Sequence, residues 1–204
     1  MNIGLIVEGD AEFHALRLLL PALREATGCS IRRPIKATVH PTAPPAAIAR
    51  VCHSSVALLK AKGDELVIVL LDMEDDLSCP GVRAAAIEAA FPPIPDISVS
   101  VVMKNRMFEN WLVSDLVAFS NQGARFRVTG GMRSAVEPNR ADGADALAWL
   151  KRACIGASYA KVEDAKRILG RADPVRMAQN SRSFRRLMRV VRHPVYLTQS
   201  RRPS

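Results

Sequence analysis

The segment that most constrains the fold is the run Leu-Val-Ile-Val-Leu-Leu at residues 66–71. A strand that is apolar at every position has to be covered on both faces, which is typical of a central strand in a parallel sheet. Residues 2–7 form a second apolar run, and residues 97–103 alternate well enough for another strand. Residues 31–40 can also form a strand, and Pro34 favours an edge position for it.

Helical patterns separate these strands. Residues 10–26 carry apolar side chains at helical spacing before Gly28, residues 46–62 form a similar pattern, and Pro80 opens a third helix that runs to residue 90. The order β-α-β-α-β-α-β predicts an α/β fold with an open, mostly parallel sheet and helices on both of its faces.

The pattern becomes mainly helical after Lys104. Helices are predicted at residues 107–119, 144–153, 162–169 and 184–191, with a long loop at residues 121–143. We therefore expect an α/β domain at residues 1–120. A loop and helical, Arg-rich C-terminal extension at residues 121–204 is expected to pack on it.

Composition narrows the class of protein. At 204 residues and 49% hydrophobic, the chain can bury one sizeable core. No apolar run approaches the roughly 20 residues of a membrane helix, and the opening segment has no basic leader, so a cytoplasmic protein is expected. The four cysteines form no C-x-x-C pair, which argues against a zinc knuckle or a redox dithiol. Neither a Walker lysine loop nor a G-x-G-x-x-G turn is present.

Positive charge is concentrated at the C-terminal end. From residue 171 onward there are nine arginines and one acidic residue, a net charge of +8 against +9 for the whole chain. Clustered arginines favour contact with a polyanion, because guanidinium groups bind phosphate and release counterions. A solvated helix face, or a surface for an acidic protein partner, is the alternative. The candidate phosphate-binding or nucleic-acid-binding residues are Arg182, Arg185, Arg186 and Arg189.

Carboxylates follow two of the predicted strands. Glu8 comes directly after the first, and Asp72 and Glu74 come after the strongest. The carboxyl ends of parallel strands meet at one edge of a sheet, so these groups should converge there. An all-oxygen, acidic site suits Mg²⁺ or Mn²⁺. We expect Glu8, Asp72, Glu74 and Asp76 as metal ligands, and the site would fail if Glu74 pointed to solvent far from Glu8.

Nearby carboxylates also have structural explanations. Glu12 lies one helical turn after Glu8, so it either reaches the site as an outer candidate or simply favours the positive end of the helix. Asp10 and Asp75 are more typical of helix caps and turns than of catalysis.

Two of these segments resemble a known domain. Residues 7–12, Val-Glu-Gly-Asp-Ala-Glu, resemble the V-E-G-x-x-E signature that opens TOPRIM-like domains, and residues 71–74, Leu-Asp-Met-Glu, stand where those domains have D-x-D. The chain is more closely similar to the bacterial TOPRIM-like family called domain of unknown function 4276. That family has a later E-x-W-L-x-x-D segment, matched at residues 109–115, and Tyr-x-Lys and Ser-x-Ser-Phe-Arg segments, matched at residues 159–161 and 181–185.

The resemblance implies roles for particular residues. In TOPRIM enzymes the first Glu moves a proton or contacts metal and the paired acids bind metal, so Glu8, Asp72 and Glu74 become the expected catalytic residues. Glu74 departs from the usual second Asp, and Asp76 could compete for its place. Glu109 and Lys161 are looser outer candidates.

Three residues of the later segments have structural alternatives. Asp115 is expected to cap a helix or form a structural ion pair rather than to share an ion with Glu109. Trp111 is expected in the core rather than as a base-stacking platform. Lys161 and Arg185 either bind phosphate or make surface ion pairs.

Three functions follow as hypotheses. The first is a Mg²⁺-dependent or Mn²⁺-dependent nuclease or phosphodiesterase of TOPRIM type that acts on nucleic acid, in bacterial defence or DNA repair. The second is a non-catalytic or regulatory subunit that works with an ATPase partner in a defence system. The third is phosphoryl chemistry on a small nucleotide. The choice between DNA and RNA and the oligomeric state stay open, and no membrane association is expected.

Overall fold

A parallel sheet of five strands organises the computed structural model, which describes residues 1–74 and 78–197. The strands are β1 (Asn2–Val7), β2 (Ser30–Ile31), β3 (Ile35–Lys36), β4 (Leu66–Asp72) and β5 (Ser98–Lys104). They lie in the order β2-β1-β4-β5, with β3 also paired to β1, and every pairing is parallel. The predicted α/β fold with a parallel sheet is confirmed.

Helices connect and follow these strands. They are α1 (Asp10–Thr27), α2 (Pro45–Ala61), α3 (Pro80–Ala90), α4 (Phe108–Leu112), α5 (Leu116–Ser120), α6 (Gly130–Val136), α7 (Ala146–Ala153), α8 (Lys161–Leu169), α9 (Pro174–Asn180), α10 (Arg182–Val190) and α11 (Pro194–Leu197), with a 3-10 helix at Ala141–Gly143. Among the described helices, none combines the length and apolarity that crossing a membrane requires.

The sheet divides the hydrophobic core into two halves. On β4, Ile68 and Leu70 belong to the half that contains α1, whereas Val67, Val69 and Leu71 belong to the half that contains α2 and α3. All five side chains are buried. This explains the unbroken apolar run of β4, because neither face of the strand meets solvent.

The helices that follow β5 share the core half of α1. Trp111 of α4, Ile168 of α8 and Phe184 of α10 are buried in the same cluster as Leu16 and Leu19 of α1. Apolar side chains from both sides of residue 120 pack into this one cluster. The domain boundary expected at residue 120 stays a prediction.

The structure corrects three of the predicted elements. The strand expected at residues 31–40 is two short pieces, β2 and β3, and Pro34 between them has no N–H to donate to β1. The helix expected at residues 107–119 is two helices, because the Asp115 side chain accepts a hydrogen bond from Val117 N–H and starts α5. The loop expected at residues 121–143 contains α6, which Thr129 caps.

Candidate metal site

The carboxyl ends of β1 and β4 bring Glu8 and Asp72 together. Asp72 is the last residue of β4, and Glu8 follows Val7, which pairs with Leu70. Glu8 Oε1 accepts a hydrogen bond from the Asp72 backbone N–H at 2.5 Å. The parallel register therefore joins these two residues across 64 positions of sequence, as expected from strand ends that meet at one edge.

Glu12 is the third carboxylate of the cluster. Its Oε2 accepts hydrogen bonds from the backbone N–H groups of Glu8 and Gly9 at 3.2 and 3.1 Å, so the side chain folds back over the start of α1. Oxygens of Glu8, Glu12 and Asp72 all lie within 4.8 Å of one another. Glu12 thus both caps its helix and belongs to the acidic cluster, which covers the two alternatives expected for it.

Lys104 lies among these three carboxylates. It is the last residue of β5 and pairs in register with Asp72. Its Nζ is 3.1 Å from Glu8 Oε1 and 3.0 Å from Asp72 Oδ1, and it forms an ion pair with Glu12 Oε1. The side chain has no solvent exposure.

The sequence reasoning did not select Lys104. The signal was present, because a lysine that ends an otherwise apolar strand stands at the same sheet edge as Glu8 and Asp72.

Burial shifts the protonation equilibria of the cluster. It raises the pKa of Asp72 to about 9, with further contributions from the carboxylates of Glu8 and Glu109. Burial also lowers the pKa of Lys104 to about 8, an effect that Glu8 opposes. Both pKa shifts arise because a poorly solvated environment disfavours the charged form of each side chain. A further cation bound nearby would stabilise the ionised form of Asp72.

Glu109 and Lys161 lie beside the cluster. Lys161 Nζ is 3.4 Å from Glu109 Oε1, and both side chains act electrostatically on Asp72 and Lys104. Glu109 is buried, whereas the Lys161 side chain is 64% exposed. With Glu8, Glu12, Asp72 and Lys104 these residues make four carboxylates and two ammonium groups, a formal net charge of −2.

Tyr159 lies close enough to Glu109 for that carboxylate to act on its hydroxyl. Its hydroxyl is buried and has no hydrogen-bond partner among the residues that the structure describes. Burial raises the pKa of this phenol, and Glu109 adds to the effect. The Tyr-x-Lys segment thus places the buried Tyr159 hydroxyl and the exposed Lys161 ammonium group close to Glu109.

Glu74 does not join the three-carboxylate group. Its side chain is exposed, its φ is 49°, and its backbone N–H donates to the carbonyl of Arg106 at 2.8 Å. The strand ends at Asp72, and the left-handed turn that follows carries Glu74 away from the position a regular strand would give it. Its charge still contributes to the raised pKa of Asp72.

Glu74 is thus exposed but not remote, because its charge still acts on Asp72, and its role as a metal ligand stays a prediction. Glu12, rather than Glu74, is the third member of the three-carboxylate group. Asp76, the other expected ligand, and Asp75 lie outside the described residues.

The expected phosphate-binding arginines all lie on α10. Arg182 is exposed, and Arg186 and Arg189 are half-buried. Arg185 donates to the carbonyl of Ala178 at 2.5 Å and to Asn139 Oδ1 at 2.6 Å, so it connects α10 to neighbouring segments. Nucleic-acid binding by this helix stays a prediction, for which Arg182 is the most accessible residue.

Two residues of the segment 109–115 have structural roles, as expected. Asp115 caps α5 and pairs with Arg176, whose Nε is 2.9 Å from Asp115 Oδ1. Trp111 is fully buried, donates from Nε1 to Ser183 Oγ at 2.8 Å, and packs edge-on against Phe184. Both residues therefore hold the helices that place Glu109 beside the site.

Comparison with protein families gives one match. A family model described as Domain of unknown function (DUF4276) matches residues 7–192, a span that contains every residue of the acidic cluster together with Glu109, Tyr159, Lys161 and α10. No curated protein and no solved structure matches the chain.

Proposed function

The chain belongs to the DUF4276 family, and from its acidic site we propose a metal-dependent phosphodiesterase of TOPRIM type that cleaves nucleic acid. One observation carries the proposal: Glu8, Glu12 and Asp72 converge at the carboxyl edge of a parallel sheet. With Glu109 they outnumber the two lysines beside them. Excess buried negative charge of this kind is unfavourable unless a cation binds or a carboxylate takes up a proton.

The donor set fits Mg²⁺ or Mn²⁺. Carboxylate oxygens are the ligands that these hard cations prefer, and the cluster contains no Cys or His that would favour zinc. Glu8 and Asp72 would hold the ion, because their side chains keep 11% and 16% exposure to solvent. A bound ion would polarise a phosphoryl oxygen and lower the pKa of a water molecule.

The protein residues supply orientation and proton transfer. Glu8, held by the Asp72 N–H, would accept a proton at the exposed side of the cluster where it does not itself bind the ion. Lys161 presents an exposed ammonium group next to Glu109, where it would attract a phosphate. The arginines of α10 would contact the backbone of a longer polyanion.

Cleavage assays with matched variants test the proposal. Purified protein with Mg²⁺ or Mn²⁺ should cleave DNA or RNA, and Glu8→Gln and Asp72→Asn should each lower the rate about 100-fold or more. Asp10→Asn is the control, because Asp10 is an exposed acid beside the cluster that pairs with Lys36 instead. Equal rates for wild type, Glu8→Gln and Asp72→Asn would rule out this site. A small nucleotide in place of the polymer separates the substrate classes.

One observation favours the non-catalytic alternative. Lys104 supplies a positive charge inside the cluster without any metal ion. A lysine-neutralised cluster would suit a regulatory subunit that works with an ATPase partner. Wild-type protein that neither cleaves nucleic acid nor binds Mn²⁺ would support this function over the first.

A further inference from the structure

We infer that Lys104 is a built-in cation that fills one of two cation positions in the acidic cluster, so that the cluster binds a single divalent ion rather than a pair. The inference rests on the proposed function. It specifies the metal stoichiometry of the site and assigns Lys104 a charge-compensating role.

Lys104 contacts all three carboxylates of the cluster. Its Nζ touches one oxygen from each of Glu8, Glu12 and Asp72. Glu12 Oε1 and Asp72 Oδ1 are buried and accept no hydrogen bond from the residues that the structure describes. The Lys104 ammonium is therefore the group that compensates the charge of these two oxygens, a role that a metal ion would otherwise have.

The inner part of the cluster is already occupied. Both oxygens of Glu12 are in use, since Oε2 accepts from two backbone N–H groups and Oε1 faces Lys104. Lys104 cannot withdraw easily, because its backbone is held in β5 opposite Asp72. Only Glu8 and Asp72 keep side-chain exposure on the outer side. The inner position is filled, and the outer position is accessible.

Charge and spacing in the cluster disfavour a second ion. Two ions of a two-metal site stand about 3.5–4 Å apart. The three carboxylates lie within 4.8 Å of one another with an ammonium group among them, so a second ion would be placed against a like charge.

Counting bound Mn²⁺ tests the inference. Full-length wild type at saturating Mn²⁺ should bind one ion per chain by equilibrium dialysis, and Lys104→Met, which removes the charge but keeps most of the length, should bind two. Lys166→Met is the control and should still bind one, because Lys166 pairs with the exposed Glu163 and lies outside the cluster. Asp72→Asn should lose the specific ion, which identifies the site that is counted.

Wild-type protein also gives a result that needs no variant to fold. Its electron paramagnetic resonance spectrum with Mn²⁺ should be that of an isolated ion, whereas two ions a few ångströms apart would give a coupled spectrum. A coupled pair in wild type, no bound ion in wild type, or a single ion in folded Lys104→Met overturns the inference.

The cleavage assay on the same samples separates this inference from the proposed function. Cleavage by a wild type that holds two coupled ions would leave the proposed function standing and remove the inference. One ion in wild type and two in Lys104→Met, without cleavage by either, would support the inference and count against the proposed function.

Discussion

Single buried charges in this protein are held by several partners at once. Glu12 shares its two oxygens between the cap of α1 and Lys104, and Asp164 is similarly divided. Asp164 accepts hydrogen bonds from the Arg125 guanidinium and from Ala160 N–H. Removing one partner leaves the other charge buried and uncompensated. The loss of stability is then larger than the net contribution of the intact ion pair. These residues are therefore the ones at which conservative substitutions should have large effects.

Asp164→Asn is expected to destabilise the fold by about 3 kcal/mol at neutral pH. Burial by itself would raise the pKa of Asp164, but the hydrogen bonds from Arg125 and Ala160 outweigh burial, and the pKa lies below 3.8. A lowered carboxyl pKa contributes stability above its unfolded value, and that contribution is lost as the pH falls through the folded value.

Urea unfolding of wild type and Asp164→Asn at several pH values measures this effect. The difference in the free energy of unfolding should be complete at neutral pH and should narrow below pH 3.8. A difference that widens in acid would contradict the assignment. Glu163→Gln is the control, since Glu163 is an exposed neighbour that pairs only with Lys166 in the described contacts.

At the scale of elements, α2 approaches β1 closely at Gly4, which has no side chain. α2 packs on the face of β1 that carries Gly4, and Leu59 of α2 lies directly over that glycine. A Cβ at position 4 would be 2.7 Å from Leu59 Cδ1. Leu59 is itself buried, so its side chain has little room to move aside.

Gly4→Ala is expected to lower the free energy of unfolding by about 1–3 kcal/mol, because the added methyl group overpacks the contact with Leu59. Thermal or urea denaturation would measure it. The matched control is Gly123→Ala, where a Cβ would meet nothing within 4 Å, and it should change stability by less than about 0.5 kcal/mol. Equal effects of the two substitutions would show that α2 does not pack on β1 this closely.

At the scale of the whole molecule, the excess positive charge is concentrated at the C-terminal end. The carboxylates converge at the ends of β1 and β4, and the C-terminal helices add Lys161 next to them and the arginines of α10. Nearly all of the net charge of +9 comes from residues after position 170. A polyanion would bind to the basic helices and be cut at the acidic edge under the proposed function.

Arg182→Gln is expected to weaken nucleic-acid binding for every sequence tested and to reduce the salt dependence, with the slope of log K against log salt falling by about 1. Fluorescence anisotropy of a labelled oligonucleotide across a salt series would measure both quantities. Arg152→Gln on α7 serves as the control, because that exposed arginine lies outside α10. Identical slopes for wild type and Arg182→Gln would exclude Arg182 from the phosphate contacts.

The sequence alone determined the fold class and the positions of Glu8 and Asp72. Apolar periodicity and strand-end polarity are local properties, so the buried run at residues 66–71 already implied a central parallel strand with acids at its carboxyl end. The order of segments around it was enough to predict helices on both faces of the sheet.

Tertiary structure decided which groups complete the cluster. Lys104 enters it because β5 pairs with β4 in the register that sets Lys104 opposite Asp72. Glu12 enters because its helix is capped by its own side chain, and Glu74 is left outside because the chain turns left-handed directly after the strand. Strand register, helix capping and turn conformation all depend on contacts between segments. Local sequence patterns do not specify those contacts.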